Sequence, residues 1–130
     1  MNYKVLLYKD KKALPGEPPG DWPAYVNEVK DDEVVESPWL VMSEEAYHAY
    51  RLKLRPTYDE WDRTFNTPKH EKISKIQEQS AKMKKEMRVY DDYESVGLKV
   101  PANILEMRAN CDLLDEQVKK LELLNVGDPI

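Results

Sequence analysis

The sequence has little of what a cross-linked, membrane-spanning or phosphate-binding protein needs. Cys111 is the one cysteine among 130 residues, so no disulfide can form within the chain and the fold must depend on packing. No apolar run approaches the roughly 18 residues of a membrane span, and the first residues are charged too soon for a secretion signal. We therefore expect a soluble, cytoplasmic protein. Basic residues are outnumbered, with a net charge of −5, which disfavours general binding to nucleic-acid phosphates.

Motifs that would indicate catalysis are also missing. The chain has no phosphate-binding glycine loop, nucleophile elbow or dinucleotide fingerprint. His48 and His70 are far apart, and neither has a cysteine or second histidine at metal-ligand spacing. His48 does follow Glu44 and Glu45 by about one helical turn, a pairing suited to acid–base chemistry or a metal, but this pattern is also typical of a solvated helix face. We predict a non-enzymatic protein that uses no metal and no cofactor.

Residues 69–124 carry the strongest pattern, in which apolar residues recur at the alternating three- and four-residue spacing of a heptad seam. The pattern predicts two amphipathic helices, 69–94 and 102–124, each with one apolar stripe. Between them Gly97 is suited to a left-handed helix cap, and Pro101 to a helix start, so a turn is expected there. The seam positions of the two helices are Ile73, Ile76, Ser80, Met83, Met87 and Tyr90, followed by Ile104, Met107, Cys111, Leu114, Val118 and Leu121.

The charges of these two segments favour an antiparallel helical hairpin. Residues 69–88 hold seven basic and three acidic side chains, whereas residues 89–130 hold four basic and nine acidic ones. The rival arrangement is a parallel homo-oligomeric coiled coil, but its flanking charge pairs include none that attracts. Whether the helices pair within one chain or between chains stays open on the sequence. Four leucines of the second helix lie off its seam and predict a further contact with another subunit or protein: Leu105, Leu113, Leu123 and Leu124.

The first 42 residues predict a small antiparallel sheet of three strands, at 3–8, 24–29 and 34–42. Each stretch is rich in β-branched or aromatic residues. Pro38 cannot donate to a central ladder, so the third strand is expected at an edge or broken at that residue. Residues 10–23 contain four prolines and predict a surface loop. The alternative is a semi-rigid docking arm with Trp22 as its anchor.

Two shorter helices are expected to follow the sheet. Ser43 is a good N-cap for a helix over 44–54, which Pro56 should end. A capping box from Thr57 to Glu60 then predicts a short second helix. Thr67, with Pro68 at the first helical position, predicts the start of the long helix. The aromatic residues of this region are expected to form core rather than a ligand site.

The candidate interaction residues combine two tryptophans with most of the heptad seam. Large aromatic side chains are frequent anchors at interfaces, and an unpaired seam must find a partner. We predict that contacts with protein partners, either further copies of the chain or a larger assembly, use the following residues: Trp22, Trp39, Ile73, Ile76, Met83, Met87, Ile104, Met107, Leu114, Val118 and Leu121.

The short strand, the Pro-rich loop with Trp22-Pro23, and the stretch Pro38-Trp39-Leu40-Val41-Met42-Ser43-Glu44-Glu45-Ala46-Tyr47-His48-Ala49-Tyr50 resemble small tail- or fibre-associated proteins of bacteriophages. The resemblance covers residues 1–65, has no diagnostic motif and carries over no functional residue. It implies a structural part of a virion, or a chaperone for one.

Together these observations predict an α+β head, residues 1–66, joined to a helical hairpin or coiled-coil segment, residues 67–130. The predicted role is non-enzymatic assembly, in which the protein oligomerises or docks through its C-terminal helices. Two alternatives stay open: a small enzyme using His48, and an acidic inhibitor that imitates nucleic acid with a set of carboxylates. That set comprises Asp31, Asp32, Glu33, Asp91, Asp92 and Glu94.

Overall fold

The computed structural model describes all 130 residues, Met1–Ile130. Helix covers 55% of the chain and strand 13%, in a small antiparallel sheet with helices, so the predicted α+β class is confirmed. The chain divides into two compact units. The first, which we call the head, comprises Met1–Thr67 with Asn125–Pro129; the second, which we call the hairpin, comprises Pro68–Leu124 with Ile130.

The head contains a sheet in the order β2-β1-β3, with both pairings antiparallel. Strand β1 is Asn2–Leu7, β2 is Pro23–Val29 and β3 is Leu40–Ser43. Val5 lies opposite Val26 on one side and Leu40 on the other, and its side chain is fully buried. The three predicted antiparallel strands are therefore present, with the first strand at the centre.

The third strand is shorter than the predicted 34–42. The backbone N–H of Trp39 donates to the carbonyl of Glu36 at 3.1 Å, which closes a turn around Pro38. The Ser37-Pro38 peptide bond in this turn is cis. Because Pro38 has no N–H and the turn uses that of Trp39, ladder pairing with β1 begins only at Leu40.

Helix α1, Glu44–Trp61, begins as expected but does not end where predicted. The hydroxyl of Ser43 accepts a hydrogen bond from the N–H of Ala46 at 3.2 Å, which confirms the N-cap. The predicted stop at Pro56 is wrong, because Pro56 lies inside the helix and the separate helix starting at Thr57 does not exist. Pro56 leaves the carbonyl of Leu52 without its helical donor. Leu52 is 76% exposed, so water can bond that carbonyl at moderate cost.

The long helix α2 begins at Thr67, close to the predicted start, but the prediction that Thr67 is its N-cap is wrong. Residues Asp62–Asn66 form one turn of π-helix, and α2, Thr67–Met87, follows directly. Thr67 itself has helical dihedrals, φ −64° and ψ −48°, and its hydroxyl donates to the carboxylate of Asp62 at 3.2 Å. In the wider π-helical turn the N–H of Thr67 donates to the carbonyl of Asp62, five residues back. Pro68, which has no N–H, therefore lies where the π-helical hydrogen bonds end and the α-helical ones begin.

The hairpin pairs α2 with α3, Ala102–Glu122, in antiparallel orientation within one chain. α2 ends at Met87, short of the predicted residue 94, because the chain tightens into a 3-10 turn at Arg88–Tyr90. Tyr90 and Tyr93, three residues apart, then contact each other with ring centroids at 4.8 Å. Gly97 takes the predicted left-handed conformation, with φ +79°. No helix combines the length and the apolar character that crossing a bilayer requires.

Candidate functional site

Most of the predicted seam residues lie in the core of the hairpin. One buried cluster joins the beginning of α2 to the end of α3, and a second joins the end of α2 to the connection and the beginning of α3. The seams therefore contact each other inside one chain, which corrects their assignment as a surface for partners. The buried seam residues are Ile73, Ile76, Met87, Ile104, Val118 and Leu121, while Met83, Met107 and Leu114 are partly buried against them.

A polar contact separates the two apolar clusters. Ser80, which is 3% exposed, donates its hydroxyl to the carboxylate of Asp115 at 3.2 Å. Lys84 approaches the other oxygen of Asp115 at 3.4 Å, and the thiol of Cys111 lies 3.9 Å from the carbonyl of Ser80. Because a buried hydroxyl needs a partner, these contacts fix residue 80 of α2 beside residues 111–115 of α3. The Lys84–Asp115 pair is one instance of the predicted attraction between the basic and acidic segments.

Trp22 is packed against α1, so the proposal that it anchors a free docking arm is wrong. Its ring stacks on Tyr58 with centroids 4.4 Å apart and planes 25° apart, and the guanidinium of Arg51 lies 5.4 Å from the ring. The hydroxyl of Tyr50 donates to the carbonyl of Asp21 at 2.6 Å. Residues 10–23 therefore form a loop held to the head by its own tryptophan.

The start and end of this loop are also tied together. The N–H of Lys9 donates to the carbonyl of Gly20 at 2.9 Å, and a Cβ at position 20 would lie only 3.0 Å from that of Lys9. Within the loop the Lys11 ammonium and the N–H of Leu14 both bond the carboxylate of Glu17. Burial raises the pKa of Glu17, but these two hydrogen bonds outweigh burial and hold the pKa below its ordinary value of 4.5.

Glu17→Gln is expected to weaken the dependence of head stability on acid. Because the pKa of Glu17 is lower in the folded than in the unfolded chain, its contribution is present above about pH 4.5 and is lost as the pH falls through the folded value. At pH 7 the substitution should cost about 1 kcal/mol, the net scale of one intramolecular hydrogen bond. Urea unfolding from pH 3 to pH 7, followed by tryptophan fluorescence, measures both effects. Glu28→Gln, at an exposed position of β2 without an ion pair, is the control and should leave the pH profile unchanged.

The remaining sequence candidates are dispersed. The His48 imidazole lies 3.9 Å from the Glu44 carboxylate, and both side chains are more than half exposed on α1. No group of three or more His, Cys, Asp and Glu side chains is arranged to hold a metal ion. Two of the six carboxylates of the proposed nucleic-acid mimic are ion-paired, Glu33 with Lys4 at 2.8 Å and Glu94 with Arg108 at 2.9 Å. The second predicted tryptophan, Trp39, is half-buried, with the Lys4 ammonium 5.6 Å from its ring.

Apolar side chains on the outside of α3 and directly after its last residue form the best candidate site. Leu105, Leu113 and Leu123 are 49%, 57% and 66% exposed, as predicted for residues off the seam. Leu124, predicted with them, instead packs against the buried cluster of Ile73 and its neighbours. The helix therefore has apolar surface left over after the hairpin has closed.

One of these leucines lies in a groove that runs between α2 and α3. The groove has a volume of about 510 Å³. Its floor is apolar, with Met83, Leu113 and Leu114, and its borders are polar. The border residues were not among the predicted interaction residues: they are Gln79, Lys82 and Glu86 from α2 and Asn110 and Gln117 from α3. The sequence does contain a signal for them, because several of these residues directly precede a seam residue and so share one heptad position beside the seam.

Comparison of the chain with protein-family models, with curated proteins and with solved structures finds no match.

Proposed function

We propose that this chain is a non-enzymatic assembly protein that docks on other proteins through the outside of its C-terminal hairpin. One observation carries the proposal: the two seams are buried against each other, yet Leu105 and Leu113 of α3, and Leu123 directly after it, are still exposed. A single exposed leucine is ordinary on a soluble protein. Two on one 21-residue helix, with a third directly after its last residue and the other side of the helix already core, are typical of a helix that is covered by a further element.

The free energy available from burying these leucines is large enough to favour docking. Covering a leucine side chain completely contributes about 1.5–3 kcal/mol, so burial of even two of the three would support a specific contact. In the head, by contrast, Trp22 already has a partner in Tyr58, so it is not free to anchor one. The resemblance to phage tail- and fibre-associated proteins leads us to propose a virion component or assembly chaperone as the setting. The acidic-inhibitor alternative is less favoured, because Glu33 and Glu94 are neutralised by ion pairs.

Site-specific photo-cross-linking in the native host cell tests the proposal. A benzophenone amino acid placed at Leu105, Leu113 or Leu123 should give discrete adducts with another protein or a second copy of the chain. Leu52 is the matched control, because it is an exposed leucine, 76% accessible, on a helix of the head. Equal adduct yields from Leu52 and the α3 positions, or no adducts at all, would contradict docking through the hairpin.

A further inference from the structure

We infer that the groove between α2 and α3 binds the same groove of a second copy, in a two-fold antiparallel arrangement that makes a four-helix bundle. The inference deepens the proposed function, on which it rests, by naming the partner. We call the helix sides that border it, residues 75–86 of α2 and 106–120 of α3, the groove face.

The groove face is basic at one end and acidic at the other. Residues three or four apart lie on the same side of a helix. Lys75 therefore lies on the groove side of α2, and Glu106 and Lys120 lie on the groove side of α3. Because the helices are antiparallel, Lys75 and Lys120 share one end, whereas Glu86 and Glu106 share the other. All four side chains are exposed, and none forms an ion pair within the chain. A face with opposite charges at its ends and an apolar centre is suited to its own inverted copy.

The spacing of these charges is symmetric on each helix. On α2, Lys75 and Glu86 are equally far from the midpoint between residues 80 and 81, and so are Gln79 and Lys82. On α3, Lys120 and Glu106 are each seven residues from Leu113. Charges of opposite sign therefore exchange places when either helix is inverted about its midpoint.

The two midpoints lie at the same level of the hairpin. Ser80 bonds Asp115, and its carbonyl lies 3.9 Å from the thiol of Cys111, so residue 80 is level with the part of α3 that contains Leu113. A single two-fold axis, in the plane of the interface and perpendicular to the helices, can therefore serve both helices at once. It would place Lys75 opposite the partner's Glu86, and Lys120 opposite the partner's Glu106.

The same axis determines which residues meet at the centre of the interface. Leu113 would meet the partner's Leu113, and Lys82 would lie opposite the partner's Gln79, so no lysine meets a lysine. The other face-to-face arrangement, with the axis parallel to the helices, would set the two basic ends against each other and the two acidic ends likewise. Only the antiparallel arrangement pairs every end charge with its opposite.

The dimer should be weak. The symmetric charges span about 16 Å on α2 and about 21 Å on α3 at 1.5 Å per residue, a small face with few apolar side chains. An interface of that size belongs to the transient class, and a dissociation constant on the order of tens of micromolar is expected. Light scattering of the full chain from 5 to 500 µM should thus show the mean mass rising from 15.3 kDa towards twice that value.

Charge exchange tests the orientation. K75E/K120E makes both ends of the groove face acidic, and E86K/E106K makes both ends basic. Each variant alone should dimerise at least tenfold more weakly than the unchanged chain, because like charges then meet at both ends. Mixing the two variants should restore association, as a heterodimer. K85E/K119E, on other sides of the same helices, changes the net charge as much as K75E/K120E does and should dimerise like the unchanged chain.

An oxidative cross-link gives a second readout that does not depend on charge. L113C should form a disulfide dimer readily, because the axis passes at that residue, whereas L123C lies far from its own symmetry copy and should not. A monomer at 500 µM, a mixture that fails to associate, or equal cross-linking of L113C and L123C would overturn the inference. Photo-adducts from α3 to a different protein would then leave the proposed docking function intact, and their absence would remove both.

Discussion

Ile104→Ala is expected to lower the free energy of unfolding of the hairpin by about 2–4 kcal/mol, because it removes a side chain that is 4% exposed at the centre of a buried cluster. Around it lie Met87, Val100 and Cys111. Of these four residues only Val100 lies outside a helix, so the backbone can close little of the space without disturbing α2 or α3. The neighbouring methionines are flexible and will fill part of the space, which keeps the loss below the upper limit for such substitutions. Urea unfolding followed by far-ultraviolet circular dichroism measures the change.

Leu113→Ala supplies the matched control, since it makes the same kind of truncation on the exposed side of the same helix. It should change the free energy of unfolding by less than about 0.5 kcal/mol. If Leu113→Ala proved as costly as Ile104→Ala in the dilute protein, α3 would be facing α2 with the opposite side, and the description of the groove would be wrong.

The thiol of Cys111 is expected to react with a disulfide reagent about a thousandfold more slowly in the native protein than in the unfolded chain. The thiol is 3% exposed and lies under α2, so reaction requires the hairpin to open. A factor of that size corresponds to an opening free energy of about 4 kcal/mol, within the range for a small unit. The release of the coloured thiolate product, with and without 6 M urea, gives both rates.

The two predictions can be combined in one protein. Ile104→Ala should accelerate modification of Cys111 on the order of a hundredfold, because a loss of 2–4 kcal/mol raises the open population by that scale. Leu113→Ala should leave the rate near that of the unchanged chain. Fast modification in the unchanged protein, at the rate seen in urea, would mean that the seams are not closed on each other.

The hairpin was predictable because its information is local and repeated. The heptad spacing names the buried side of each helix, and the glycine at position 97 requires no tertiary contact to favour its positive φ. The head was harder, since the positions of Pro56 and Trp22 depend on tertiary contacts. Pro56 predicts a helix stop, but Tyr58 beyond it stacks on Trp22 of the Pro-rich loop and contacts Trp61, and α1 continues through both residues. The packing of Trp22 is likewise invisible to any pattern within residues 10–23.

The candidate site was only partly predictable for a similar reason. Leucines off the seam could be identified from periodicity alone, and three of the four are exposed. The polar border of the groove could not be identified in this way, because the pairing of its charges depends on which residue of α2 is level with which residue of α3. The complementary charges Lys75, Glu106 and Lys120 lie outside the positions that flank the seam of a parallel pair, so they become significant only once the antiparallel register is known.

The buried hydroxyl of Ser80 consequently governs an outer surface that it does not touch. If α3 slid along α2 by one heptad, the symmetric charges of the two helices would be centred about 10 Å apart, and no single rotation would match both. The slide would also leave the Ser80 hydroxyl and the Asp115 carboxylate to find other partners. A serine in an apolar seam weakens the core of the hairpin, yet it specifies which inverted copy of the surface the molecule can recognise.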